Sequence, residues 1–84
     1  MATTTGAAIT ARALKNEGVD TFFYLYGGPI QEIIKECYAL GIRGVNTRHE
    51  QASAMEAHAY TRVTGRPGVC MTTAGPGATN AVTG

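Results

Sequence analysis

The 84-residue chain has no tryptophan, only two cysteines and three prolines, and 15% charged residues. Each shortage excludes something. Cys37 and Cys70 show neither CxxC spacing nor a nearby histidine cluster, so they read as buried, reduced thiols rather than a disulfide or a zinc site. A formal net charge of +1 gives no basic surface for nucleic acid or an anionic membrane. No apolar run approaches the ~20 residues that a bilayer span requires. The start, MATTTGAAITARALKNEG, has neither the basic opening nor the long apolar core of a signal peptide. The expectation is a cytoplasmic protein with no nucleic-acid partner and no membrane partner.

What remains is a globular composition, 44% hydrophobic with 11 glycines, too apolar for a disordered chain. A chain of this length buries only about 60 to 65% of its unfolded surface, so residues 1–84 form one small domain at most. Residues 5–17 place Ile9, Ala13 and Leu14 on one side at helical spacing and stop at Gly18. VDTFFYLY is β-branched and aromatic and predicts a strand near 20–25. GGP at Gly27 to Pro29 opens a second helix over 29–40, with Ile30, Ile33, Ile34, Cys37 and Leu40 on one face and Gly41 past its end. IRGVNT gives a strand near 42–46, and EQASAMEAHAYTRVT a helix over 50–64 ending at Gly65. GVCMTT gives a strand near 68–73, and AGPGATNAVTG a last helix that the end of the chain cuts off. Strands joined through helices imply an α/β fold, a parallel sheet flanked by helices on both faces. Three strands make a thin sheet, so the chain reads as the front part of a larger domain that needs partners for stability.

In such sheets ligands gather beyond the carboxyl ends of the strands, where three loops lie: Tyr26 to Pro29, Thr47 to Glu50, and Ala74 to Asn80. Gly27 and Gly28 permit close backbone approach, and Gly75 to Gly77 lead into a helix N-terminus whose free N–H groups favour an electron-rich partner. Plain turns explain both loops equally well, and Asn80 stands where a dinucleotide loop would need a third glycine. Glu50, between a strand and an Ala-rich helix, is open to two readings. It compensates the helix dipole as an exposed carboxylate, or it is partly buried, where desolvation favours a carboxyl able to donate a proton or a hydrogen bond. Arg48 reads as a surface or ion-pair group and His49 as a packed or capping histidine. Glu56 and His58 read as surface or interface groups, and Tyr24, Tyr26 and Tyr60 as core or interface aromatics.

The order of whole motifs narrows this. GVDTFFYLYGGPIQEII, then RHEQ, GRPGVC and AGPGATNAVTG, closely resembles the N-terminal pyrimidine-binding domain of thiamine-diphosphate-dependent enzymes of the acetolactate synthase and 2-oxoacid decarboxylase superfamily, over residues 6–84. The resemblance implies a thiamine-diphosphate-binding fold of which residues 1–84 are the N-terminal part of the pyrimidine domain only. It implies that Glu50 hydrogen-bonds N1′ of the cofactor aminopyrimidine and is the catalytic acid. The 4′-imino nitrogen then removes the thiazolium C2 proton, and the carbon so exposed attacks the carbonyl of a 2-oxo acid or a relative. By the same resemblance Gly27, Thr73, Gly75 and Asn80 join Glu50 in cofactor binding, while Tyr26, Gly28 and His49 line the substrate side.

Two departures bear on the chemistry. Acetolactate synthases usually read PGG where this chain reads YGGP, and Thr72 or Thr73 stands about where some decarboxylases place a catalytic histidine or serine, which argues against a simple decarboxylase. The family holds the diphosphate and Mg²⁺ through a GDG…N motif in a separate domain, and that motif does not occur in these residues. The metal ligands are therefore expected outside this chain, as is the remainder of the enzyme, and the chain alone is expected to be inactive. The expected whole is a homodimer or homotetramer taking a small 2-oxo acid or an acyl-CoA. An acetolactate synthase-like carboligase leads; a 2-hydroxyacyl-CoA lyase or oxalyl-CoA decarboxylase is the alternative, and a non-catalytic assembly module the reading from another class.

Overall fold

Short apolar runs alternating with helix-forming runs leave the chain one way to bury both, with strands side by side and helices laid across them. A computed structural model describes residues 3–84. The elements are α1 (Gly6–Asn16), β1 (Thr21–Tyr24), a 3₁₀ turn (Gly28–Ile30), α2 (Gln31–Ala39), β2 (Arg43–Asn46), α3 (Glu50–Thr64), β3 (Val69–Met71) and α4 (Pro76–Ala81). The strands form one parallel sheet in the order β2-β1-β3. The parallel α/β architecture is as expected; several boundaries are not.

The stretch expected as one helix over 29–40 begins instead as a 3₁₀ turn, with Ile30 N–H donating to Gly27 O at 3.2 Å. β3 is three residues long, because Thr72 and Thr73 leave the sheet. The last helix, expected to run to the end of the chain, stops at Ala81, and Gly84 N–H donates to Ala81 O to close a turn.

Side chains alternate across β1, the central strand. Phe22 and Tyr24 face α1 and α2, forming a core with Ala11, Ile34, Cys37, Ile42 and Met71. Phe22 is fully buried, a contribution of about 1.5 to 3 kcal/mol from its side chain alone. Phe23 faces the other way, its ring 5.7 Å from Tyr60 of α3, and α4 packs on α3. Both cysteines are free thiols; Cys37 is buried, whereas Cys70, expected to be buried, is only half-buried. Burial is the larger of two causes pushing both thiols up, with Glu36 adding to it at Cys37 and Glu50 at Cys70.

At the edge where the strands begin, Asp20 accepts a hydrogen bond from the Tyr60 hydroxyl and pairs with Arg66 Nη1 at 3.1 Å. The Tyr60 bond is the main cause holding the Asp20 carboxyl below its ordinary 3.8; desolvation opposes it and Arg66 helps it. A carboxyl depressed by folding stabilises the protein above its unfolded value, and that contribution is lost as pH falls through the folded one. In urea unfolding as a function of pH, the deficit of Asp20→Asn is therefore expected to stay constant down to about pH 4 and to close below it. A deficit that widens in acid would remove Asp20 as the cause. The effect is small, because the pair is half-exposed.

Candidate functional site

β1 sends its connection to α2 on one face, and β3 sends its own to α4 on the other. Connections that leave neighbouring strands to opposite faces mark the point where ligands collect in parallel sheets, beyond the strands' carboxyl ends. The three expected loops meet this edge.

Glu50 is the first residue of α3 and is only 8% exposed. The carboxyl is therefore not the exposed one that the first of its two readings expected. Asn80, thirty residues later in α4, donates from Nδ2 to Glu50 Oε1 at 3.3 Å. No described hydrogen bond reaches Oε2. That oxygen faces Gly77, where an added methyl would stand 3.5 Å from it and 2.8 Å from Thr73 Cγ2. Gly77 therefore packs directly on Thr73, next to the buried acid. Gly75 supports the approach, since its φ of 69° and ψ of −118° turn the chain into α4 in a conformation that L side chains rarely adopt.

Thr73 stands between the two glycine loops. A methyl at Gly27 would lie 2.8 Å from Thr73 Oγ1 and closer still to its Cβ, so the β1 loop rests directly on Thr73. Glu50, Thr73, Gly75, Gly77, Asn80 and Gly27 thereby form one contiguous group. Tyr26 and Gly28 are exposed on the same loop, and no described hydrogen bond ties Tyr26 to the group. His49 is exposed and caps α3, its Nδ1 accepting from Gln51 N–H at 3.0 Å. Its outward hollow, about 250 Å³, is shared with Gln51, Ala52 and Met55. Arg48, Glu56 and His58 are exposed. Among the described residues no group of three His, Cys, Asp or Glu side chains could hold a metal ion.

A buried carboxyl with one oxygen held and the other open can accept a hydrogen bond from a ligand or, when protonated, donate one to a ring nitrogen. Residues 4–84 match the family described as thiamine pyrophosphate enzyme, N-terminal TPP binding domain. The chain belongs to this family. The chain is similar to the acetolactate synthase isozyme 2 large subunit of Escherichia coli (strain K12), 46% identical over 79 residues, which is 94% of this chain and 14% of that protein. It is also 46% identical over 78 residues to 2-hydroxyacyl-CoA lyase 2 of Danio rerio, 93% of this chain and 13% of that one. A probable 2-ketoarginine decarboxylase of Pseudomonas aeruginosa is 44% identical over 81 residues, 96% of this chain and 14% of that protein. The chain thus spans 14% or less of each of these relatives.

Sequence reasoning did not single out Thr47 or Ser53, which lie three residues before and three residues after Glu50. Thr47 is 6% exposed and Ser53 fully buried, with their hydroxyls 2.6 Å apart. A signal for Thr47 existed, the T-x-x-E spacing of a capping box with Glu50. It points to the wrong partner, since the cap is His49.

Proposed function

We propose that this chain is the pyrimidine-side half of a thiamine-diphosphate site in an enzyme that makes or breaks C–C bonds beside a carbonyl, with acetolactate synthase-like carboligation as its leading reaction. The observation that carries the proposal is the buried Glu50 carboxyl, held at Oε1 by Asn80 and without a described hydrogen bond at Oε2, on the side of Gly77. When bound, thiamine diphosphate supplies the carbon nucleophile and the electron sink for the C–C bond.

The chain's own residues do the rest. Glu50 Oε2 holds or shares a proton at the pyrimidine N1′, and burial keeps water from competing for that proton. Asn80 fixes the carboxyl's orientation. Thr73 and the glycines at 27, 75 and 77 shape a floor that admits a flat ring, with Gly28, Tyr26 and the rim near His49 toward the substrate. Mg²⁺ and the diphosphate are held by residues elsewhere in a complete enzyme, a cytoplasmic homodimer or homotetramer in the same reading, and the chain alone is inactive. The 2-hydroxyacyl-CoA lyase reading stays beside the leading one, because that relative is as similar to this chain as the E. coli synthase. A pure assembly module has no use for an acid buried at a loop edge.

The test uses the complete enzyme carrying these residues, stripped of cofactor. Adding thiamine diphosphate with Mg²⁺ is expected to restore product formation from a 2-oxo acid; the analogue with carbon in place of N1′ is expected not to. Equal restoration by both would sink the role given to Glu50. Product from a 2-hydroxyacyl-CoA alone would move the assignment to the lyase.

A further inference from the structure

Behind Glu50 lies a pair of buried hydroxyls that the proposed chemistry does not use. Thr47 Oγ1 lies 2.6 Å from Ser53 Oγ, 3.3 Å from Tyr24 O and 3.1 Å from His49 O. Proton counting orients the contacts. Carbonyl oxygens only accept, so the single Thr47 proton goes to one of the two carbonyls, and the short oxygen–oxygen contact is filled by the Ser53 proton. With that assignment both buried hydroxyls donate, and no buried side-chain oxygen or nitrogen among the described residues lacks a partner.

The contacts join the Thr47 loop to the end of β1 and to the start of α3. Tyr24 ends β1, and its carbonyl also takes the Thr47 N–H at 2.8 Å. His49 caps α3, and its carbonyl takes the Ser53 N–H at 3.3 Å in the helix's first turn. Ser53 stands three residues beyond Glu50, on the same side of the helix. The rotation of that first turn about the helix axis decides where the Glu50 carboxyl points, and Ser53 ties this turn to Thr47, which in turn contacts the carbonyl that ends the central strand.

We propose that Thr47 and Ser53 are positioning residues, a hydroxyl clamp that sets the first turn of α3 on the end of β1 and thereby aims Glu50 at its ligand. The proposal rests on Glu50 being the proton-handling acid. Without the clamp the helix start shifts, and Asn80, whose 3.3 Å bond is already long, holds the carboxyl alone.

The test compares Thr47→Val, Thr47→Ser and Ser53→Ala in the complete enzyme, each in the parent and in a Glu50→Gln background. Thr47→Val is expected to lower kcat by roughly tenfold with little change in the substrate KM, a misplacement effect, and Thr47→Ser is expected to restore it. In the Glu50→Gln background Thr47→Val should cost nothing further. Independently of activity, amide hydrogen exchange in the cofactor-free protein should speed up at Gln51 to Ser53 in Thr47→Val and Ser53→Ala, and not in Thr47→Ser. Should Thr47→Val fail to fold, Ser53→Ala, which deletes one oxygen, carries the same comparisons. Equal losses of kcat in both backgrounds, or unchanged exchange at α3's first turn, overturns the clamp. If Glu50→Gln alone retains full turnover, the reading of Glu50 fails instead, and the exchange result still decides whether the hydroxyl pair holds the helix.

Discussion

Glu50→Gln in the complete enzyme is expected to lose at least ~10²-fold in turnover, the lower range for a general acid–base group, while the fold holds. The substitution is nearly isosteric. The amide oxygen of Gln still accepts from Asn80 Nδ2, as Glu50 Oε1 does at 3.3 Å. What disappears is a group able to give and take a proton at the position that faces Gly77. An amide donates permanently and never ionises, so it can occupy the site without working in it.

Stability should barely move. Glu50 sits in the first turn of α3, where a carboxylate stabilises the helix by about 0.3 to 1 kcal/mol through the dipole. Any loss on neutralisation stays within that range, and circular dichroism with a melting curve checks it. The two readings of this acid therefore separate cleanly. A residue present only to compensate the dipole would show the small stability loss with turnover intact. Glu50→Asp extends the argument: one methylene shorter, it keeps the proton and gives up the already long Asn80 bond. Its turnover should fall between the parent's and that of Glu50→Gln.

The sequence made some of this site legible and hid the rest for definable reasons. The helix over 50–64 was readable to the residue because an Ala-rich run follows Glu50 and Gly65 ends it, with φ of 75° at the cap. Pro29 was read as a helix opener, and so it is, but of a 3₁₀ turn; residue type does not distinguish the i→i+3 bond from the i→i+4 one. Thr72 and Thr73 favour strand by their branching. Tertiary packing overrode that preference, because Thr73 has to fill the gap between Gly27 and Gly77. The partners of Glu50 were out of reach. Asn80 and Glu50 meet only after β3 has paired with β1, a contact set by sheet register. Ser53 looked like one more small residue on an alanine helix, since nothing local marks it as facing Thr47.

Gly27→Ala should destabilise the protein by about 1 to 3 kcal/mol, the usual range for overpacking. Gly27 is extended, with φ of −156° and ψ of 150°, a conformation any residue adopts, so the cost comes from space and not from backbone strain. A methyl there would stand 2.8 Å from Thr73 Oγ1 and 3.2 Å from Cγ2, and nearest of all to Cβ. Rotating Thr73 moves Oγ1 and Cγ2 but leaves Cβ where the backbone puts it, so one of the two loops has to retreat. The expected compensation follows from that geometry. Thr73→Ala removes the two outer contacts and keeps the closest; Thr73→Gly removes all three. Denaturant unfolding of the four corners of the Gly27→Ala, Thr73→Gly cycle should therefore give a favourable coupling of about 1 kcal/mol or more, where distant sites would simply add. Thr73→Ala should recover less. Strict additivity would mean that the loops do not rest on each other, and Thr73 would then be free to act as a ligand group and not as the spacer between the two glycine loops.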